Sequence, residues 1–79
     1  MFEYSVKPNQ KTSILTPWNI NLKDIKKETE QHANLILAKS TYPNGFYIET
    51  HQTSESITFK TNWELKDNGD GTMTPIQPS

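Results

Sequence analysis

Ile57-Thr58-Phe59-Lys60-Thr61-Asn62-Trp63-Glu64-Leu65-Lys66 alternates two sets of side chains for ten residues without a slip. Ile57, Phe59, Thr61, Trp63 and Leu65 form one set, and every residue between them is polar. This is the period-two signature of a half-buried strand. A strand carrying two large aromatics on one face is expected near the centre of a sheet, so its neighbours are found by matching that face.

Upstream, Phe46, Ile48 and Thr50 alternate with Tyr47, Glu49 and His51. A four-residue loop over Thr53 to Ser56 would set Phe46 opposite Trp63, Ile48 opposite Thr61 and Thr50 opposite Phe59. The same register places Glu49 opposite Lys60 on the wet face, a favourable cross-strand pair. Downstream, Asp67-Asn68-Gly69-Asp70-Gly71 is turn chemistry. A five-residue loop there would bring Leu65 opposite Met73 and Trp63 opposite Pro75. Proline cannot donate to a ladder, so Thr72 to Ile76 is expected at the sheet's edge.

At the N-terminus Phe2, Tyr4 and Val6 alternate with Glu3, Ser5 and Lys7, giving a strand that ends at Lys7-Pro8-Asn9-Gln10. A short extended piece follows from Thr12 to Thr16, because Pro17 biases Thr16 away from helix. Trp18 and Ile20 then lead to Asn21, a helix-capping residue with Asp24 three positions later. Leu22, Ile25, Ala33, Ile36 and Leu37 fall at helical spacing, which predicts one amphipathic helix of about five turns. Pro43 and Asn44-Gly45 end it. The expected fold is α+β, an antiparallel sheet of four to five strands with one amphipathic helix packed on one face. Residues 1–79 read as a single domain with a short disordered tail from about residue 77.

The composition narrows the function. With 79 residues and no cysteine, the chain has neither a disulfide framework nor a thiolate metal site. Residues 1–39 carry six Lys against four acids and residues 40–79 two Lys against five, so the halves are +2 and −3 and the total is −1. Neither half has the basic footprint of a nucleic-acid binder. All eight cations are Lys, so the guanidinium fork that reads guanine or clamps phosphate is missing. No apolar run approaches the roughly 18 residues of a membrane span, and Met1 to Lys7 lacks signal-peptide character. The expectation is a cytoplasmic protein.

Each catalytic or metal candidate has a plainer reading. The Asp67 to Gly71 loop resembles a calcium loop superficially, yet no register places acids, glycine and the final Glu together. Glu49 and His51 share a sheet face and offer two ligands or an acid–base pair, but no third ligand or convergent pocket accompanies them. His32 has no second His or Cys spaced with it. Nucleophile elbows and phosphate-binding glycine loops are absent from the sequence. Neither a metal, a cofactor nor enzymatic activity is expected.

Binding surfaces remain. Leu35 lies off the helical stripe and, with Ala38, Tyr42 and Lys27, marks an outer helix face for a protein partner. Tyr47 and Lys60 mark the outer sheet face. Asn44-Gly45-Phe46-Tyr47-Ile48 also bears on the glycine–aromatic phrase of RNA-binding sheets, and Tyr47 with Lys60 and Lys66 would make a weak single-strand platform. The basic residue expected before Gly45 is missing, so a protein partner leads. Partner identity and oligomeric state are left open.

The length, the absence of cysteine, the expected single helix on an antiparallel sheet and the hairpin phrase Trp63-Glu64-Leu65-Lys66-Asp67-Asn68-Gly69-Asp70-Gly71-Thr72 resemble the small accessory or inhibitor-type proteins that phages encode. The resemblance implies a non-enzymatic protein that binds and blocks a host protein, for example in defence, in the host cytoplasm. Its alternative is a virion or tail-assembly component.

Overall fold

The computed structural model describes residues 1–7, 9 and 12–78. Among these residues eight strands run in chain order as β1 Phe2–Val6, β2 Ser13–Ile14, β3 Lys26–His32, β4 Leu35–Thr41, β5 Tyr47–Gln52, β6 Ile57–Thr61, β7 Leu65–Asp67 and β8 Thr72–Pro75. Five of them form one sheet in the order β1-β6-β5-β4-β3, and the other three form a smaller sheet ordered β2-β8-β7. The large sheet is antiparallel throughout. In the small one β2 runs parallel to β8, and β7 antiparallel to it.

The expected α+β architecture is overturned, because no long helix forms among the described residues. Residues assigned to it instead make a β-hairpin, β3–β4, preceded by a single 3-10 turn at Leu22–Asp24. Asn21 does cap that turn, its side-chain oxygen accepting from the Lys23 N–H at 3.0 Å. The cap's geometry stops there, since Ile25 is already extended at φ −91° and ψ 121°. The helical stripe had a gap from 26 to 32, where Lys-Lys-Glu-Thr-Glu-Gln-His offers no apolar residue. An edge strand exposed along its whole length needs none, and all seven residues of β3 are exposed. Leu22 and Ile36, assigned to the core by that helix, are 75% and 41% exposed. The hairpin turns through Ala33-Asn34 with Ala33 at φ 43°. That conformation is costly for alanine and usually marked by Gly or Asn, so the turn carried no conventional signal.

The long central strand is also divided. It breaks at Asn62–Trp63, so that β6 belongs to the large sheet and β7 to the small one. Asn62 covers the break: its Oδ1 accepts from the Tyr47 N–H and its Nδ2 donates to the Gly45 carbonyl, each at 2.8 Å. The expected β5–β6 register is observed, with Ile48 opposite Thr61, Glu49 opposite Lys60 and Thr50 opposite Phe59. The β7–β8 register is shifted by two, Leu65 lying opposite Pro75 and Asp67 opposite Met73. Asn68 stays in the ladder through its N–H to the Thr72 carbonyl, so the loop is only Gly69 to Gly71. Nor is β8 an edge strand. It lies between β2 and β7, and Pro75 escapes the parallel ladder because β2 pairs only with Thr72 and Met73. The strand-terminating Pro8 and Gln10, and Ser79 of the expected tail, lie outside the described residues.

The core occupies one face of the large sheet. Phe46, Ile48, Phe59, Trp63 and Leu65 are buried, with Tyr4, Val6, Ile14, Trp18, Tyr42, Ile57 and Met73 packed around them. Trp18, Tyr42, Phe46 and Trp63 form an aromatic cluster with centroids 5.3–5.7 Å apart for the Trp18 contacts. Tilted and edge-on contacts of this kind add to the area these rings bury. Thr61, fully buried on the same face, spends its hydroxyl on the Trp63 carbonyl.

Candidate functional site

Register determines what the opposite face of the large sheet presents, because side chains directly across an antiparallel ladder share a side. Glu28 pairs with Lys39, Lys39 with Glu49, Glu49 with Lys60, and Lys60 with Glu3. One row therefore crosses all five strands with alternating sign. Its Lys60 Nζ lies 4.0 Å from Glu3 Oε1. Each such exposed pair contributes only a few tenths of a kcal/mol up to about 1, so the row matters more as a pattern than as a source of stability.

On either side of the charged row lie mixed rows, each with one large apolar or aromatic group, Tyr47 in one and Leu37 in the other. One flanking row is Lys26, Thr41 and Tyr47; the other is Glu30, Leu37, His51, Thr58 and Ser5. Beyond the second lies the His32 and Leu35 pair that closes the β3–β4 hairpin. Tyr47, Lys39, Glu28, Lys26 and Thr41 line a depression on this face. Partial burial, followed by the Glu49 and Glu28 carboxylates, pushes the Tyr47 phenol above its ordinary pKa. A neutral phenol surrounded by carboxylates is a hydrogen-bond donor and a flat apolar surface.

Glu49 and His51 are brought together as the period-two reading expected, with Nε2 of His51 3.6 Å from Oε1 of Glu49. That Nε2 is shielded from solvent and has no hydrogen-bond partner. Both side chains are mostly covered by their neighbours, and the pair is charge-complementary when the imidazole is protonated. Among the described residues, no three His, Cys, Asp or Glu side chains gather in a metal-binding arrangement.

The five expected contact residues separate. Leu35, Tyr47 and Lys60 share the outer face, by the parity of the ladders. Lys27 does not, since it pairs with Ser40 on the opposite side. Tyr42 belongs to the aromatic core, with its ring 5.4 Å from that of Phe46. Lys66 lies in the small sheet, away from the Tyr47 and Lys60 ladder. Sequence reasoning missed Leu37 and Lys39, which alternate with Leu35 and Thr41 at strand period along β4, and Glu28, which reaches this face only through its pairing with Lys39.

No helix among the described residues is long and apolar enough to cross a membrane. Comparison with family models, with curated proteins and with solved structures finds no match to this chain.

Proposed function

We propose that the chain is a non-enzymatic protein-binding module, acting in the cytoplasm, that occupies a surface of another protein with the outer face of its large sheet. The supporting observation is the alternating row Glu28, Lys39, Glu49, Lys60 and Glu3, flanked by Tyr47 on one side and Leu37 on the other, with Leu35 one row further out. Such a row suits a partner surface that itself alternates in charge, where each misplaced register sets like charges together. It suits a polyanion poorly, because every lysine on it stands between carboxylates. Tyr47 is the expected anchor, being a rigid aromatic with a donor at its tip. The resemblance to small phage accessory proteins makes a host protein that is blocked by this contact the first partner to seek, with a virion component as the alternative.

Affinity capture with paired baits tests the reading. The natural chain and Lys27→Ala should retain the same stoichiometric protein, while Leu35→Asp and Tyr47→Ala should lose it with circular dichroism unchanged. Capture indifferent to both outer-face substitutions, or recovery of nuclease-sensitive material alone, would overturn it.

A further inference from the structure

The two edges of the large sheet differ in a way that points to a second copy of this chain. In antiparallel ladders, hydrogen-bonded and non-hydrogen-bonded pairs alternate. The Asn62 N–H donates to the Tyr47 carbonyl, which makes that position a hydrogen-bonded pair and, two residues on, Glu49 and Lys60 another. Ile57, Phe59 and Thr61 therefore turn their backbone groups towards β1, where they meet Val6, Tyr4 and Phe2. Glu3 and Ser5 are left with N–H and C=O groups directed away from the sheet. The same step from the Tyr42 N–H and Phe46 carbonyl bond leaves Lys27, Thr29 and Gln31 as the outward groups of β3.

We infer that β1 pairs antiparallel with β1 of a second copy, about a two-fold axis at Tyr4. In that register Glu3 faces Ser5 of the other copy, and both residues carry the outward backbone groups. Four main-chain hydrogen bonds form without rearrangement. On the core side Phe2, 44% exposed in the single chain, meets Val6 of the other copy, and the two Tyr4 rings adjoin. Like charges do not oppose one another, and a net charge of −1 per chain adds little repulsion.

The other edge is guarded against the same arrangement. The longest two-fold pairing of β3 that joins outward groups sets Lys27 opposite Gln31 and Thr29 opposite Thr29. It then forces Glu28 against Glu30 twice. Shifting by one step places Glu28 against Glu28 or Glu30 against Glu30. Charge along an exposed strand is a common protection of sheet edges; β3 carries Lys26, Lys27, Glu28 and Glu30, whereas β1 carries Glu3 alone. The pairing of β1 merges two five-stranded sheets with both outer faces on one side. It does not depend on those faces binding anything.

Four hydrogen bonds and one row of side chains make a small interface, so association is expected between micromolar and millimolar protein. Sedimentation equilibrium across that range should show the mass rising from 9.1 kDa towards twice that value and no further. Hydrogen exchange at the two ends of the range should slow the Glu3 and Ser5 amides by about tenfold or more, leaving those of Lys27, Thr29 and Gln31 unchanged. Ser5→Pro removes an outward donor at an edge position that tolerates proline and should weaken association at least about tenfold, while Thr29→Pro on β3 should not. Should Ser5→Pro fail to fold, the exchange data on the natural chain decide. A strictly monomeric chain at millimolar concentration, protection at β3, or growth beyond a dimer would each overturn the inference.

Discussion

The Tyr4 hydroxyl accepts a hydrogen bond from the Leu65 N–H at 2.8 Å, joining the first strand of the large sheet to the small sheet across 61 positions of sequence. Leu65 is buried, so its N–H has this phenol in place of water. Tyr4→Phe keeps the ring and strands the donor. The expected loss is about 1–3 kcal/mol, read as a lower urea midpoint with unchanged slope.

Ala33→Gly separates the hairpin from the helix that its sequence suggested. At φ 43° alanine pays for a left-handed conformation that glycine adopts freely. Stability should rise by up to about 1 kcal/mol. In a helix interior the same substitution would cost about 1 kcal/mol, so the sign alone is diagnostic in thermal unfolding.

Phe46→Ala and Leu22→Ala should diverge. Phe46 is fully buried among Trp18, Tyr42 and Trp63, and its removal leaves a cavity costing about 3–5 kcal/mol. For a chain of this size that consumes much of the margin, and tryptophan fluorescence should report partial or complete unfolding. Leu22 is 75% exposed, and its truncation should change stability by less than about 0.5 kcal/mol.

Two groups give pH signatures of opposite sense. The Thr72 hydroxyl and N–H hold the Asp70 carboxyl below its ordinary pKa. A depressed carboxylate stabilises the fold above the unfolded pKa, and that contribution is lost as pH falls through the folded value. Carboxyl NMR should find Asp70 titrating low, and Thr72→Ala should move it up. Tyr47 is raised, first by partial burial and then by Glu49 and Glu28. Its contribution is present below the ordinary phenol value of about 10 and disappears as pH rises through the raised one. Ultraviolet titration of Glu49→Gln should return the phenol towards its ordinary range.

Local alternation was enough to place Phe2, Tyr4 and Val6 on the core face and to pair Glu49 with Lys60, because each ladder contact follows from period two and a short loop. It also placed Tyr47 and Lys60 on one outer face. The hairpin of β3 and β4 was hidden for a physical reason: an edge strand wet on both sides needs no apolar pattern, and Ala33 occupies a turn position that glycine or asparagine usually announces. Spacing at Leu22, Ile25, Ala33, Ile36 and Leu37 then matched a helix by default. Tertiary structure alone decided that Asn62 ends β6, since its side chain replaces ladder bonds to Tyr47 and Gly45 that lie 15 and 17 residues away. That break sends Leu65 into the second sheet, and the place of Tyr42 in the aromatic cluster follows from its contacts with Trp18 and Phe46, the first of which joins residues 24 positions apart.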